Sequence, residues 1–311
     1  MEYVLAPLDG FTDCRYRQAH ADTIGGLSRA IAPFVTLVAG RRVRLTHLRD
    51  FWPENNRGMA VEPQILGNEE AYFPVMAEAL RALGYDCLNW NLGCPIRSVA
   101  AKRRGAGLLP YPAQVDRFLE RAFGCGGLDI SVKIRLGYRD RAEIWPLLEV
   151  LNRYPLRYVA IHPRTGIQGY GGQPDWDFLE TVLLHVQAPV YYSGDIFTEQ
   201  DARRLNLRFP SIQVCLLGRG VLADPFLPLR LQGETIEAET GRKRCLALME
   251  RLYENQLAYG IRPQSVLKRM KPYWVRLDRQ RFGLTEDWMT RMKTVQTLGD
   301  YADLIKEYGS I

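Results

Sequence analysis

Cys94 is a cysteine at the point where a buried strand is expected to break into a loop. The run Cys87–Asn91 is apolar enough for a strand inside a sheet, and Gly93 and Pro95, on either side of Cys94, cannot both continue a strand ladder. Loops at the ends of strands are where α/β proteins place their chemistry. A thiol there can supply a proton, because a cysteine with a pKa of about 8.5 is mostly protonated near neutral pH. The alternative is a buried structural thiol, the commoner role of a free cysteine.

Lys133 is a charged residue in the middle of an apolar strand, Ile130–Leu136. Lysine is almost never buried unless it is paired, so Lys133 needs an anionic or acceptor partner. A flavin ring, whose N1–C2 edge becomes anionic on reduction, would provide one, whereas a lysine that extends to solvent from a strand end would need none. Gln64 has amide groups that could pair with the same ring edge. His162 ends another strand, where it is either a site residue or a hydrogen-bonded core histidine.

Two glycine-containing loops follow the last two predicted strands. They are Ser193-Gly194-Asp195 and Gly218-Arg219-Gly220, and a helix is expected to begin after the second one, at Val221 or Leu222. Glycines before a helix start leave backbone N–H groups free to bind a phosphate. In a barrel of parallel strands the phosphate site commonly lies after strands seven and eight. Either tripeptide alone could also be an ordinary turn.

Eight short β-rich runs alternate with stretches of helical periodicity. The runs are Tyr3–Ala6, Ala30–Val38, Val61–Leu66, Cys87–Asn91, Ile130–Leu136, Tyr158–His162, Val190–Tyr192 and Val214–Leu217. The stretches between them, such as Glu70–Leu83 and Trp176–His185, have apolar residues three and four positions apart. This alternation predicts an α/β fold with a parallel sheet, and eight units in about 230 residues fit a (β/α)8 TIM barrel better than an open Rossmann sheet.

The strand pattern stops near Glu234, and Thr240–Ile311 has helical periodicity throughout. The sequence therefore predicts a barrel domain, residues 1–235, followed by a small all-α helical domain, residues 236–311. Between Arg262 and Lys293 there are nine basic residues and three acidic ones, an excess that equals the net charge of +6 of the whole chain. A charge placed so unevenly favours a polyanionic partner.

The composition is that of an ordinary globular protein, with 311 residues, 47% of them apolar and 24% charged. The sequence starts without a signal-peptide pattern and has no apolar window long enough to cross a membrane, which predicts a cytoplasmic protein with no membrane partner. No two of the six cysteines have Cys-x-x-Cys spacing, so we expect neither a metal site nor a disulfide framework. We expect a monomer.

Taken in chain order, these motifs resemble those of the tRNA-dihydrouridine synthase family, flavin enzymes that reduce selected uridines in tRNA to 5,6-dihydrouridine. The resemblance covers most of the chain, and Asn91-x-Gly93-Cys94-Pro95 is its most specific part. The other matching elements are Ala6-Pro7-Leu8-x-Gly10-x-Thr12-Asp13, Val132-Lys133-x-Arg135-Leu136-Gly137, His162-x-Arg164-Thr165, Tyr170 with Asp175-Trp176, and Gly218-Arg219-Gly220.

The resemblance implies an FMN-binding barrel followed by a helical tRNA-binding domain, with NADPH as the reductant. It implies that Cys94 is the catalytic proton donor to the uracil ring. The positions implied to bind the cofactor are Pro7, Leu8, Gln64, Lys133, His162, Ser193, Gly194, Asp195, Gly218 and Arg219. Three positions depart from the family pattern. Two of them are cofactor positions, where Leu8 replaces Met and Ser193 replaces Asn. The third is in the substrate loop, where Ala100 stands at a position at which Asn commonly follows Val99.

Within the family, the sequence resembles most the C subfamily, which modifies position 16 of the tRNA D-loop. Arg269 and Lys271 match its Arg-x-Lys element, and Asn91 and Tyr170 fall at its tRNA-contacting positions. Thr36 stands near a position where that subfamily has Arg. Pro272, directly after these cations, is expected to kink or end their helix. Tyr273, Trp274 and Trp288 could stack on bases, although packing between helices is the more common role of such aromatic residues.

Two other functions remain open from the sequence. An FMN barrel that acts on a free pyrimidine, such as a dihydroorotate dehydrogenase, would share the phosphate site but would have no use for the basic segment Arg262–Lys293. A non-catalytic RNA-binding protein would use that segment and would have no use for the flavin site. Bound flavin and salt-sensitive tRNA binding distinguish these possibilities.

Overall fold

The computed structural model describes residues 1–36 and 45–310. The end of the predicted strand Ala30–Val38 lies outside the described residues. So does the basic run Arg41-Arg42-Val43-Arg44, which the sequence offers, like Lys102-Arg103-Arg104, as a tRNA-binding surface if Arg269 and Lys271 do not serve as one. Across the described residues no helix is long and apolar enough to cross a membrane.

Within the described residues, ten β-strands, all parallel, form one curled sheet. They are β1 (Glu2–Leu5), β2 (Arg29–Ile31), β3 (Val35–Thr36), β4 (Ala60–Glu62), β5 (Gln64–Leu66), β6 (Cys87–Leu92), β7 (Asp129–Gly137), β8 (Val159–Thr165), β9 (Val190–Ser193) and β10 (Val214–Leu217).

The ten strands make eight staves of a closed barrel. The pairing order is β3-β5-β6-β7-β8-β9-β10-β1-β2-β4. β3 continues β2 along the chain, and β5 continues β4, so each of these two pairs of strands forms one stave. The two staves are joined by β2–β4 near their amino ends and by β3–β5 near their carboxyl ends. The predicted TIM barrel is confirmed, and two predicted strands are each split in two. Pro33 and Pro63 stand at the breaks, where a residue without an N–H cannot donate to the ladder.

Helices connect the strands, and the long ones cover the outside of the barrel. They are α1 (Cys14–Thr23), α2 (Phe73–Ala82), α3 (Arg97–Ala100), α4 (Pro112–Cys125), α5 (Ile144–Leu151), α6 (Trp176–Leu183), α7 (Glu199–Arg208), α8 (Arg219–Ala223) and α9 (Leu227–Leu231). Each long one packs an apolar stripe on the sheet, as α4 does with Val115, Phe118 and Leu119. Helix α8 begins at Arg219, two or three residues before the predicted start at Val221 or Leu222, because Gly218 already serves as its N-terminal cap.

The chain beyond the barrel is helical, as predicted. It contains α10 (Ala238–Ala258), α11 (Pro263–Arg276), α12 (Glu286–Thr294) and α13 (Leu298–Gly309). These helices pack directly on the barrel: Tyr273 stacks on Tyr16 with ring centroids 5.6 Å apart, and its hydroxyl donates to the Phe11 carbonyl at 2.6 Å. The division of the chain at residue 235 remains a prediction.

Pro272 does not end its helix, which was one of the two outcomes predicted for it, since α11 continues through it to Arg276. The other outcome, a kink, stays a prediction. A proline removes one backbone donor, but the turn that follows is held by side chains. Tyr273 is bonded to Phe11, and the Trp274 indole donates to the Tyr301 hydroxyl at 3.0 Å. The tertiary contacts therefore outweigh the cost of the missing hydrogen bond.

Candidate active site

Two adjoining cavities open at the carboxyl ends of the strands. The larger, about 350 Å³, is lined by Cys94 and Asn91 among others, and the smaller measures about 60 Å³. Both are lined by Pro7, Leu8, Lys133, His162, Tyr170 and Arg219. The smaller one also touches Ser193, Gly194, Asp195 and Gly218, so nine of the ten predicted cofactor positions meet in one place. Gln64 lines neither cavity.

Lys133 lies on β7 at the floor of both cavities. Burial, and to a lesser extent the nearby Arg135, lower the pKa of its amine to about 7. No described residue accepts a hydrogen bond from its Nζ or forms an ion pair with it. A half-buried amine without a partner is costly to charge, and an anionic or carbonyl-rich ligand in the cavity would relieve that cost.

His162 presents a neutral ring to the site. Arg164 Nη1 donates to His162 Nε2 at 3.0 Å, and since arginine cannot accept, the imidazole must carry its proton on Nδ1. Burial holds the pKa of His162 well below its usual range, and the surrounding cations Arg135 and Lys133 lower it further. The ring therefore offers an N–H donor to a ligand.

Asp195 joins two arginines at the edge of the smaller cavity. One carboxylate oxygen accepts from Arg164 Nη2 at 2.6 Å, and the other accepts from Arg219. The Arg219 guanidinium lies over the Tyr170 ring, 4.3 Å from its centroid. Asp195 thus holds Arg219 in place, and the cation is available to an anionic group between the two glycine loops.

The two glycine loops come close to the cavity as the sequence predicts. A Cβ atom on Gly194 would lie 2.1 Å from the Tyr192 hydroxyl, so only glycine fits there. Within the described residues, the backbone N–H groups of Gly194 and Gly218 donate to no acceptor. Free N–H groups beside a positioned guanidinium suit a phosphate.

The loop that carries Cys94 is held from two sides. Asn91 Oδ1 accepts from the N–H groups of Gly93 at 3.1 Å and of Cys94 at 2.9 Å. Gly105, at φ +55°, passes so close that a Cβ atom there would lie 2.7 Å from the Cys94 carbonyl oxygen. Burial raises the pKa of the Cys94 thiol, which keeps it protonated near neutral pH.

Three arginines of the site were not predicted as site residues. Arg135 donates to the carbonyls of Gly93 and Gly169 at 2.9 and 2.7 Å, which ties together two loops above the barrel. Arg164 connects His162 to Asp195, and both arginines sit two residues after a predicted site residue on the same strand, a spacing that places them on the same face. Arg276 lines the larger cavity from α11, 3.9 Å above the Phe11 ring. No sequence signal links Arg276 to the barrel.

The predicted tRNA-contacting residues lie in two places. Asn91 and Tyr170 line the larger cavity, and Tyr170 is 48% exposed. Arg269 is exposed and Lys271 half-buried on α11, outside both cavities. Tyr273, Trp274 and Trp288 are at most 3% exposed and pack between helices, so they cannot stack on bases.

A model of the family described as dihydrouridine synthase (Dus) matches residues 4–292. The chain belongs to the dihydrouridine synthase family. This family is one of oxidoreductases, and the resemblance predicted from the motifs is confirmed. The six cysteines of this dihydrouridine synthase family member are all free, and no cluster of three or more His, Cys, Asp or Glu in the described part of the chain could hold a metal ion.

Relatives with two different specific names within the dihydrouridine synthase family are similar to this chain. The tRNA-dihydrouridine(16) synthase of Cupriavidus necator is 28% identical over 74% of this chain and 73% of its own length. The tRNA-dihydrouridine synthase B of Pseudomonas aeruginosa is 26% identical over 83% of this chain and 78% of its own. Among solved structures, the old yellow enzyme from Trypanosoma cruzi has a TM-score of 0.53 at 10% identity, covering 78% of this chain and 92% of that one, which shows a shared fold.

Proposed function

We propose that this protein reduces the C5–C6 double bond of a uridine in tRNA to give 5,6-dihydrouridine. The observation that carries the proposal is the meeting of a protonated thiol, Cys94, and an unpartnered amine, Lys133, at one cavity in a chain of this family. Reduction of the double bond takes up one hydride and one proton. The residues around the cavity are suited to supply the proton and to bind a hydride carrier.

The residues present fit FMN. Lys133 and the Nδ1–H of His162 are donors for the carbonyl and anionic edge of a flavin ring. The N–H groups of Gly194 and Gly218, together with Arg219, suit its phosphate, and Pro7 and Leu8 supply apolar contact. Bound FMN would supply the hydride, and NADPH would restore it. Gln64 would contact FMN only if its amide gave up its hydrogen bonds to Asn89 and Asn91.

Cys94 would give its proton to C5 of the uracil ring, and the thiolate would then regain one from water. The raised pKa favours this role because the thiol is the populated form before the reaction. A uracil that is stacked or paired in folded tRNA cannot enter the cavity. The target nucleotide must leave the stack, at a cost of a few kcal/mol.

Cationic surfaces on two sides of the larger cavity would offset that cost by binding phosphates. On one side, α11 presents Arg269, Lys271 and Arg276. On the other, the segment after Cys94 presents Arg97, Lys102 and Arg103, all of them exposed. No carboxylate among the described residues forms an ion pair with any of these six, which leaves their charge available to a polyanion. A free pyrimidine would need neither surface.

We further propose position 16 of the D-loop as the target, through Arg269 and Lys271 with Asn91 and Tyr170. A relative named for position 16 and one named synthase B are both similar to this chain, so the proposal depends on the Arg-x-Lys element. The cytoplasmic location and the monomeric state remain predictions of the sequence.

The test is a reconstituted reaction. The purified protein, FMN and NADPH are incubated with tRNA from a strain that lacks this protein, and D-loop fragments are analysed by mass spectrometry. We expect a gain of about 2 Da in the fragment that contains position 16, because one double bond gains two hydrogens. Activity on free uridine or orotate without activity on tRNA would contradict the proposal. A gain in a different D-loop fragment would contradict the assignment of position 16 alone.

A further inference from the structure

A chain of hydrogen bonds runs through the barrel interior from the Cys94 loop to a buried glutamate. In order, Cys94 N–H donates to Asn91 Oδ1 at 2.9 Å, Asn91 Nδ2 to Gln64 Oε1 at 2.8 Å, Gln64 Nε2 to Asn89 Oδ1 at 2.7 Å, Asn89 Nδ2 to Ser131 Oγ at 2.8 Å, and Ser131 Oγ to Glu62 Oε1. These side chains come from β4, β5, β6 and β7, so the chain crosses three neighbouring staves.

Every bond in this chain points the same way, from the Cys94 loop toward Glu62. A side-chain amide can present either its oxygen or its NH2 group to a neighbour. The amides of Asn91, Gln64 and Asn89 therefore do not by themselves set the direction of the chain. Burial raises the pKa of Glu62, and the hydrogen bonds from Ser131 and Tyr158 oppose that rise. In its ionised form the carboxylate can only accept. Glu62 accepts from Ser131 on one oxygen and from the Tyr158 hydroxyl on the other, at 2.7 Å, and thus fixes the end of the chain.

The opposite half of the barrel interior is mostly apolar. It is formed by Val4, Ala6, Ile31, Ala160, Val214 and Leu216, with Tyr158 as its buried polar member. Two alternative contacts of the chain members are longer than the bonds of the chain: Asn89 Nδ2 lies 3.4 Å from the Tyr158 hydroxyl, and Ser131 Oγ lies 3.4 Å from the Leu88 carbonyl oxygen. The chain members Gln64, Asn89 and Ser131 are fully buried. An amide that reversed would face a neighbouring group of its own kind, donor to donor or acceptor to acceptor, which is costly in a buried site.

We propose that Glu62 is a positioning residue for Cys94, acting through this directed chain. Because Glu62 accepts from Ser131, each amide along the chain donates toward Glu62. The oxygen of the Asn91 amide therefore faces the Cys94 loop. That oxygen binds the N–H groups of Gly93 and Cys94 and sets the position of the thiol. The inference rests on the proposed function of Cys94 for its catalytic consequence, while the position of the loop can be measured without any reaction.

The experiment compares two variants at the same carboxylate. Ser131→Ala breaks the chain next to Glu62. Tyr158→Phe removes the other hydrogen bond of Glu62, together with the 3.4 Å contact between Asn89 Nδ2 and the Tyr158 hydroxyl, and leaves every bond of the chain in place. Both delete one buried hydroxyl, so a general loss of stability affects both alike. Glu62→Leu removes the acceptor itself, and if that variant does not fold, the pair Ser131→Ala and Tyr158→Phe still decides the question.

The first measurement uses the flavin-free protein. The rate at which iodoacetamide alkylates Cys94 is followed by peptide mass spectrometry. We expect Ser131→Ala to raise this rate about threefold or more, because the loop loses its fixed acceptor, and Tyr158→Phe to leave it at the parent value. Equal rates in the parent and in Ser131→Ala would overturn the inference.

The second measurement uses the protein loaded with FMN. We expect Ser131→Ala to slow the oxidation of the reduced protein by tRNA on the order of 10-fold to 100-fold, the usual effect of a misplaced catalytic group. Reduction by NADPH and the Kd for tRNA should not change. Equal slowing in Tyr158→Phe would overturn the inference. If the parent protein itself did not modify tRNA, the proposed function would fail, and the alkylation result would still stand.

Discussion

At the scale of single residues, the site is distinguished by polar groups that the protein leaves without partners. Lys133, the Nδ1–H of His162 and the N–H groups of Gly194 and Gly218 all meet at the cavities without an acceptor among the described residues. Elsewhere in the described part of the chain, only His20 Nδ1 and Gln256 Oε1 are buried side-chain atoms without a hydrogen bond. Groups of this kind cost stability unless a ligand satisfies them, so their clustering is informative about function.

Replacement of the thiol separates proton transfer from the other steps. We expect Cys94→Ala to bind FMN, to be reduced by NADPH and to bind tRNA as the parent does, since the methyl group disturbs none of those contacts. Formation of dihydrouridine should decrease by about 10² to 10⁴, the usual contribution of a general acid. The measurement is the rate of dihydrouridine formation, with Cys125→Ala as the matched control. Near-normal product formation would remove Cys94 from the mechanism.

Lys133 should make the stability of the flavin-free protein depend on pH. Its pKa is lowered to about 7 in the folded protein, so between about pH 7 and pH 10 the unfolded chain binds more protons than the folded one. The contribution of Lys133 to the free energy of unfolding is thus least favourable at low pH and increases with pH across that window. We expect Lys133→Met to raise the free energy of unfolding by about 1–3 kcal/mol near pH 6.5, with no gain near pH 10.

The measurement for Lys133 is urea unfolding of flavin-free protein at several pH values. Lys293→Met, at an exposed position, serves as the control and should show no such dependence. A gain for Lys133→Met that did not change with pH would mean that the lysine keeps its charge in the fold.

Motif matches located the residues around the cavity but not their partners. Lys133, His162 and the glycine loops were found because a charge in an apolar strand, or a glycine before a helix, is visible in the sequence. The bond from Arg164 to Asp195 joins residues 31 positions apart, and the chain from Asn91 to Glu62 joins three staves. Such pairs depend on the register of the sheet, which no local pattern of residues gives.

At the scale of elements, local propensity and tertiary contact decide different features. The positions of the barrel strands agree closely with the apolar runs that predicted them. Two of the predicted strands are each divided in two, at Pro33 and at Pro63. This division can be explained from the sequence once the barrel is known. Helix α11 shows the opposite case. Pro272 predicts an interruption, and the contacts of Tyr273 and Trp274 with the rest of the protein maintain the helix. Contacts of this kind are absent from any short window of sequence.

The cations of α11 should control tRNA affinity. We expect the double variant Arg269→Ala and Lys271→Ala to bind tRNA more weakly and to lower the slope of log K against log salt by up to about two units, since each phosphate contact contributes roughly one. Reduction by NADPH should not change. Binding is measured by fluorescence titration at several salt concentrations.

The matched control removes the same charge from the outer face of the barrel. Arg117→Ala with Arg121→Ala lies on α4, where both residues are exposed and remote from the cavity mouth. If the α4 pair and the α11 pair reduced the salt slope equally, the effect would be one of net charge and not of a defined surface. Unchanged affinity in the α11 variant would move the tRNA surface to the segment from Arg97 to Arg104.

At the scale of the whole molecule, the barrel and the C-terminal helices share buried charges. Asp224, 3% exposed, forms ion pairs with Arg230 at 3.0 Å and with Arg281 at 3.3 Å, and Arg281 belongs to the helical part. Burial raises the pKa of Asp224, which the cations Arg281 and Arg230 oppose. Removal of one partner of a buried pair leaves the others uncompensated.

We therefore expect Asp224→Ala to lower the free energy of unfolding by about 2–4 kcal/mol. Hydrogen exchange should become faster in peptides of both β7 and α11, because the two parts unfold together. The control is Asp177→Ala, whose pair with Arg208 is exposed and should contribute little to stability. Faster exchange confined to one part would show that the barrel and the helices unfold independently.

The position of Arg276 has a consequence for how the protein is made. Its guanidinium lies against Phe11 at the mouth of the larger cavity, although 264 residues separate the two in the chain. During synthesis the strands leave the ribosome before α11 does. Because the barrel and the C-terminal helices are expected to fold as one unit, the opening for the nucleotide gains its last wall only when the C-terminal helices have been translated. An incomplete chain would thus lack a finished entrance for RNA.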